Sequence, residues 1–306
     1  MATIIITGGT GLIGKALTKA LIDAGHSVII LTRNPSKYRN SDRLSYAGWD
    51  IPKGIIDETA IRSADAIIHL AGAGVADKRW SSKRKKEILD SRVKSGELIC
   101  KALSSIPNHI GVVVSASGIG WYGPDPSIPN PRPFVETDPW YNDFLGTTCR
   151  DWEAALNPVT AMGKRLVILR TGIVLTKEGG ALGEFIKPLR FGLATILSTG
   201  RQVVSWIHMA DLTRLYQYAV ENPELGGVYN AVAPHPVDNR KLVLTLAGKT
   251  RGKAWLPIHV PAPVLKLVLG EMSIEVLKSA TISSSKISAT GFQFVYPTIE
   301  AAMENL

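Results

Sequence analysis

The stretch "ITGGTGLIGKAL", residues 6–17, places Gly8, Gly11 and Gly14 between an apolar β-branched run and the first turn of a helical pattern. A strand–loop–helix that cradles a pyrophosphate needs this G-x-x-G-x-x-G spacing. One glycine permits the tight turn, one lets main chain approach the phosphates, and one lets the helix pack close to the sheet. Free N–H groups at the helix start, together with the macrodipole, favour negative charge there. The loop therefore predicts a dinucleotide site built on Gly8, Thr10, Gly11, Leu12, Ile13 and Gly14.

Further strands follow from the same apolar signature: "HSVIILTR" (26–33), "LSYAGW" (44–49), "ADAIIHLAG" (64–72), "IGVVVSAS" (110–117) and "KRLVILRTGIVL" (164–175). These runs are continuously apolar and not alternating, as strands buried on both faces of a parallel sheet must be. Helices are predicted between them, over about 11–24 and 82–104. The fold class is α/β, a Rossmann doubly wound parallel sheet. In the second half, "VVSWIHMADLTRLYQYAVENP" (203–223) reads as a short strand entering a helix that Asp211 caps, and "GVYNAV" (227–232) as one more strand. The predicted organisation is a Rossmann domain of residues 1–175 with 203–232, and a small C-terminal substrate lobe of 176–202 with 233–306.

An acidic residue at the end of the second strand would bind the ribose hydroxyls of NAD. Arg33 stands there instead, with Lys37 and Arg39 following and no carboxylate before Asp42. An arginine suits the 2′-phosphate of NADP through its charge and planar donor fork. NADP(H) is the expected cofactor.

The 306 residues are 45% hydrophobic and carry a net charge of +9. Part of that charge lies in "DKRWSSKRKKEILDSRVKSGELI" (77–99), predicted as a helix with Ile88, Leu89, Val93 and Ile99 inward and its lysines in water. No zinc-finger spacing, RNA-binding signature or basic tail supports nucleic acid as a partner. No run is long enough for a membrane span, and "MATIIITGG" lacks the features of a signal peptide. Two cysteines, Cys100 and Cys149, imply no disulfide framework, so a cytoplasmic protein is expected. The histidines and cysteines show no metal-ligand spacing, and no G-x-S-x-G elbow occurs.

These motifs resemble the extended short-chain dehydrogenase/reductase superfamily, which includes sugar-nucleotide epimerases and dehydratases. The resemblance rests on the glycine loop, "HLAGAG" (69–74), "VVVSASGIGWYG" (112–123) and "WIHMAD" (206–211). More narrowly the chain is similar to the epimerase-family group with the YfcH-like or cell-division-inhibitor label, through "ADKRW" (76–80), "DSRV" (90–93), "CRDWEAA" (149–155), "YNAVAPHPV" (229–237), "LGEMS" (269–273) and "TGFQFVYPT" (290–298). The resemblance implies NADP(H), backbone contacts to it from Leu70, Ala71 and Gly72, a place for Ser115 at the cofactor, and Trp49 and Asp50 near the adenine. It carries no established substrate.

Active members of that superfamily pair a tyrosine with a lysine four residues later for proton transfer. Here the segment reads "YNDFLGTTCRDWEAAL" (141–156), with Phe144 and Thr148 where the pair would stand. Ser117 and Tyr122 are the remaining candidates for catalysis, with Tyr122 alternatively a structural aromatic whose hydroxyl is satisfied. Arg92, Arg201 and His208 are candidate substrate contacts. Arg92 and Lys94 alternatively lie on a solvated helix face, and His208 alternatively fixes its own turn. Glu136 and Asp138 border the cleft or cap a turn. The expected function is an atypical NADP(H)-dependent oxidoreductase or epimerase acting on a small molecule; the alternative is a silent NADP(H)-binding regulator. A second copy of the chain is a further candidate partner.

Overall fold

β1 (Thr3–Thr7) lies inside the central sheet with Ile4, Ile5 and Ile6 wholly buried, which is why that run carries no alternation. The computed structural model describes residues 1–306. After β1 come α1 (Leu12–Asp23), β2 (Ser27–Thr32), β3 (Leu44–Asp50), β4 (Ile55–Ile56), α2 (Glu58–Ser63), β5 (Ala66–His69), α3 (Ser82–Ser105), β6 (Val112–Gly118), α4 (Phe144–Ala154), α5 (Pro158–Ala161) and β7 (Arg165–Thr171). The second half supplies β8 (Ile173–Leu175), α6 (Gly180–Leu189), β9 (Leu193–Leu197), β10 (Val203–Val204), β11 (Trp206–His208), α7 (Met209–Glu221) and β12 (Gly227–Ala231). Last come β13 (Val237–Asp238), α8 (Asn239–Arg251), β14 (Leu256–Val260), α9 (Ala262–Leu269), α10 (Ser273–Leu277), α11 (Ser285–Ala289) and α12 (Ile299–Glu304).

The large sheet has the order β12-β7-β6-β5-β1-β2-β3-β4, parallel except where β4 turns back on β3. Alternate residues of each strand feed two cores. Ile4, Ile6, Ile30 and Val114 meet Leu17 and Leu21 of α1 and Leu212, Leu215 and Tyr216 of α7. On the opposite face Ile5, Ile67 and Val113 meet Ile61 of α2 and Leu98, Ile99 and Leu103 of α3. Strand order reverses direction at β1, so the crevice beyond the carboxyl ends of β1 and β5 is the place for a ligand. No helix is long and apolar enough to cross a membrane.

Three expectations change. The run 164–175 is not one strand: it divides at Gly172, where a Cβ would stand 2.6 Å from the Ser205 carbonyl oxygen. Beyond that glycine, β8 leaves the large sheet and pairs with β11 instead. The buried stripe of α3 includes Arg84, Ile88, Arg92, Ser95 and Ile99, while Leu89 and Val93 are only half-buried. A helix that predicts an apolar inner face thus turns two arginines inward. Finally, residues 233–306 do not all belong to the lobe, because Ile287 and Phe292 pack into the core beside α1 and α7. The lobe itself centres on Leu182, Ile196, Trp206, Leu242, Leu246 and Met303.

Asp211 is not the cap of α7; His208 is, accepting from the Ala210 N–H. The wholly buried Asp211 carboxylate instead accepts the N–H groups of Val295 at 2.8 Å and Tyr296 at 2.9 Å. It ties the returning C-terminal segment to the Rossmann helix. Asp211→Ala leaves both donors without that acceptor, and the expected loss of unfolding free energy in urea is on the order of 3 kcal/mol. A loss below about 1 kcal/mol would show that the segment is held by its apolar contacts alone.

Candidate functional site

The glycine loop closes against the end of β5. Gly8 has φ of 72°, and a Cβ there would meet Ala71 N and Leu70 C at 3.0 Å. A Cβ on Gly14 would stand 2.4 Å from the Gly8 carbonyl oxygen. Gly11 caps α1 without a side chain, and the N–H groups of Leu12, Ile13 and Gly14 find no acceptor in the chain. Backbone donors thus converge where no side chain intrudes, a cradle that suits a pyrophosphate. Thr10 adjoins it at the wall of a cavity of about 440 Å³ that also contacts Lys15, Lys19, Tyr38 and Tyr46.

The facing lip, Leu70–Ala71–Gly72, is held from below. Thr7 Oγ1 accepts from Leu70 N and Ala71 N, both at 3.2 Å, and lies 2.7 Å from His69 Nδ1. Having taken two N–H groups, the hydroxyl donates its proton to Nδ1, so the imidazole carries its hydrogen on Nε2 and offers it to Ser95 Oγ. Burial, and then the charge of Arg92, hold the His69 pKa down at about 3. Past the lip, Ser91 Oγ accepts from Ala73 N, Arg92 Nη1 donates to the Ala73 carbonyl, and Arg84 donates to that of Gly74. The inward arginines of α3 are what hold this loop.

Arg33 follows the last residue of β2 and is exposed, open to a phosphate. Near it and on β6, two of the expected cofactor residues turn inward. Trp49 is 6% exposed and belongs to the core with Ile5 and Leu31, while Asp50, the last residue of β3, pairs with Lys53. Ser115 lies mid-strand between His69 and Ile168, 1% exposed, with its hydroxyl donating to the Ala116 carbonyl.

Beyond the lip, at the ends of β6 and β7, lies a buried polar cluster. Ser117 Oγ donates to Glu153 Oε1 at 2.7 Å, and both carboxylate oxygens of Glu153 accept from Arg170 at 2.9 Å. Arg170 also lies 3.5 Å from the Trp121 ring and donates to the Tyr122 hydroxyl. Tyr122 departs from its expectation as a catalytic group. It is wholly buried, stacked on Phe134, and its hydroxyl donates to Asn230 Oδ1, with burial pushing its pKa up to about 12. Sequence reasoning missed Glu153 and Arg170. The available signal was an arginine inside the apolar run "RLVILRT" (165–171), which requires a buried partner.

The remaining candidates are dispersed. His208 is an N-cap whose ring lies 4.1 Å from that of Tyr296, its pKa lowered by burial while Asp211 pulls the other way. Arg201 is exposed on a cavity of about 400 Å³ shared with Asn130, Asp238 and Thr281, apart from the glycine loop. On α4, Phe144 packs edge-on to Trp80, and the Thr148 hydroxyl donates to the Phe144 carbonyl.

His69 makes stability depend on pH. Its folded pKa of about 3 lies below the ordinary 6.5, so between these values the unfolded chain binds a proton that the folded chain refuses. Stability therefore falls as pH drops through that window, by up to about 1.4 kcal/mol per unit from this group. Urea midpoints from pH 7 to 4 check this: His69→Gln must flatten the slope, and an unchanged slope would place the titration elsewhere.

Residues 4–145 match the NAD dependent epimerase/dehydratase family, and residues 260–306 match a domain of unknown function, DUF1731. The epimerase family protein YfhF of Bacillus subtilis is 34% identical over 303 residues, spanning 99% of this chain and 97% of its own. Human epimerase family protein SDR39U1 is 30% identical over 307 residues, 99% of each chain. A crystal structure of human SDR39U1 (isoform 2) with NADPH matches with a TM-score of 0.85 at 29% identity, over 99% of this chain and 98% of that one. With identity running end to end, and with the glycine cradle and its facing lip in place, this chain belongs to the NAD-dependent epimerase/dehydratase family of short-chain dehydrogenase/reductase proteins.

Proposed function

We propose that this protein binds NADP(H) and acts as an atypical oxidoreductase or epimerase on a small molecule. The observation that carries the reading is the side-chain-free cradle between Gly8, Gly14 and the 70–72 lip, with three free N–H groups at the start of α1. These residues fit a pyrophosphate, and exposed Arg33 past β2 fits a 2′-phosphate. The human relative with NADPH supports the same cofactor. When bound, the nicotinamide supplies or accepts a hydride.

The chain must then handle a proton without a Tyr-x-x-x-Lys pair, because no tyrosine in the sequence is followed by a lysine four residues later. Ser117 is the group assigned to that role. Its Oγ–H is donated to Glu153, whose carboxylate is fixed by Arg170, so a serine hydroxyl is backed by a buried base. Tyr122 is wholly buried and orients this cluster, whereas Ser117, itself buried, retains 4% exposure at the end of β6. The second reading, an NADP(H)-binding regulator without turnover, is favoured by Phe144 and Thr148 on α4, which offer no acid or base.

Two measurements test these statements. Arg33→Ala should weaken NADPH binding about tenfold or more while leaving NADH binding nearly unchanged, since only NADPH carries the extra phosphate. Equal loss of both would remove Arg33 from the site. Absorbance of NADPH with aldehydes, ketones, quinones and sugar nucleotides, followed by product analysis of the sugar nucleotides, tests turnover. Oxidation or epimerisation that falls in Ser117→Ala supports the enzyme; tight binding without either supports the regulator.

A further inference from the structure

Arg92 is 91% buried by its 9% exposure, yet it pairs with no carboxylate. Its Nη1 donates to the carbonyls of Ala73 and Ile88, and its guanidinium lies 4.9 Å from the Trp152 ring. The Nε and Nη2 donors, which share the other edge of the plane, make no hydrogen bond within the chain. The charged neighbours are Arg84, which raises the cost of keeping this cation, and Cys149, whose burial pushes its pKa up to about 11 and keeps it a neutral thiol. Neither Nε nor Nη2 of Arg92 is sealed from solvent, so this edge is within reach of a ligand, and a largely buried cation without a counter-charge gains from the acceptors a ligand supplies. The second buried arginine of the fold, Arg170, illustrates the contrast, because Glu153 neutralises it through two bonds.

The position of Arg92 indicates what that acceptor is. A Cβ on Gly72 would stand 3.0 Å from Arg92 Cζ, so the guanidinium lies against the very end of the lip. Its other side meets α4 at Trp152, and Cys149 of that helix donates to Gly118 at the end of β6. Across the sheet the order is β2, β1, β5, β6. Arg33 stands beyond β2 and the pyrophosphate cradle beyond β1. A dinucleotide laid in that direction brings its nicotinamide half to the end of β5 on the β6 side.

We propose that Arg92 binds the nicotinamide-side ribose of NADP(H), its free Nε and Nη2 edge donating to the two vicinal hydroxyls. This rests on the NADP(H) reading above and moves Arg92 from the substrate to the cofactor. A guanidinium edge presents two parallel donors in one plane, which an ammonium cannot do.

The test compares two ligands. NADPH carries the nicotinamide ribose; adenosine 2′,5′-bisphosphate carries the 2′-phosphate and lacks that ribose. For Arg92→Met the expected result is a dissociation constant for NADPH raised about tenfold or more, as loss of charged hydrogen bonds requires, with the bisphosphate bound as tightly as by wild type. Arg92→Lys keeps the charge and should recover only part of the NADPH affinity. Bisphosphate binding also reports that each variant is folded at the adenosine end. Equal loss of both ligands would overturn the proposal, making Arg92 a support of the lip only. Wild-type NADPH affinity in both variants would overturn it too, and lost binding of an anionic substrate alone would return Arg92 to the substrate. Wild-type protein that binds neither ligand would instead overturn the NADP(H) reading, and this inference with it.

Discussion

The contact on which the site depends is the approach of Gly8 to the Leu70–Ala71 peptide. A Cβ at residue 8 would stand 3.0 Å from that backbone, and the left-handed φ of 72° is strained for any other residue. Two backbone segments pressed so closely bring two N–H groups of the lip to one acceptor, the Thr7 hydroxyl. That hydroxyl needs a place for its own proton, and His69 supplies it. The buried imidazole in turn needs Ser95 on α3. The width of the crevice is thus set by a chain of hydrogen bonds reaching from the first strand to a helix on the far face of the sheet.

Helix α3 is more than a cover for that face. Its inner stripe alternates apolar residues, which join the core, with Arg84 and Arg92, which grip the loop after β5, and Ser95, which meets His69 at the end of that strand. The exposed lysines of the same helix do nothing comparable: Lys86 and Lys94 pair with Asp90 at the surface, where such pairs contribute little. The net positive charge of the chain is therefore a poor guide to function. What matters is which cations are buried and what they meet there.

The two lobes are joined by the same kind of chemistry. Ser205 donates to the Ala280 carbonyl and accepts from Ile282 N, while Asp125 takes Ser279, Thr281 and the Thr281 N–H together. Lys278, with its side chain 7% exposed, bridges Glu275 to Asp143 at the start of α4. With Asp211 holding Val295 and Tyr296, these bonds seat the C-terminal segment across the Rossmann half in a fixed register. Backbone groups crossing between lobes are buried, so each needs such a partner.

The sequence by itself determined the parallel sheet, the strand–loop–helix at Gly8 to Gly14 and the cationic end of β2. All three are local: continuous apolar runs follow from burial on both faces, and the glycine spacing follows from a turn within one strand and one helix. Even the absence of a Tyr-x-x-x-Lys pair is visible at that level. Tertiary structure alone decided the rest. Arg92 and Arg33 are the same residue type, and only packing leaves one exposed and folds the other beneath Gly72. Tyr122 follows Ser117 by five residues, yet Asn230 and Arg170, far away in the chain, close it off. Partners for buried charges come from distant strands and helices, and a pattern read along one segment contains no record of what will face it.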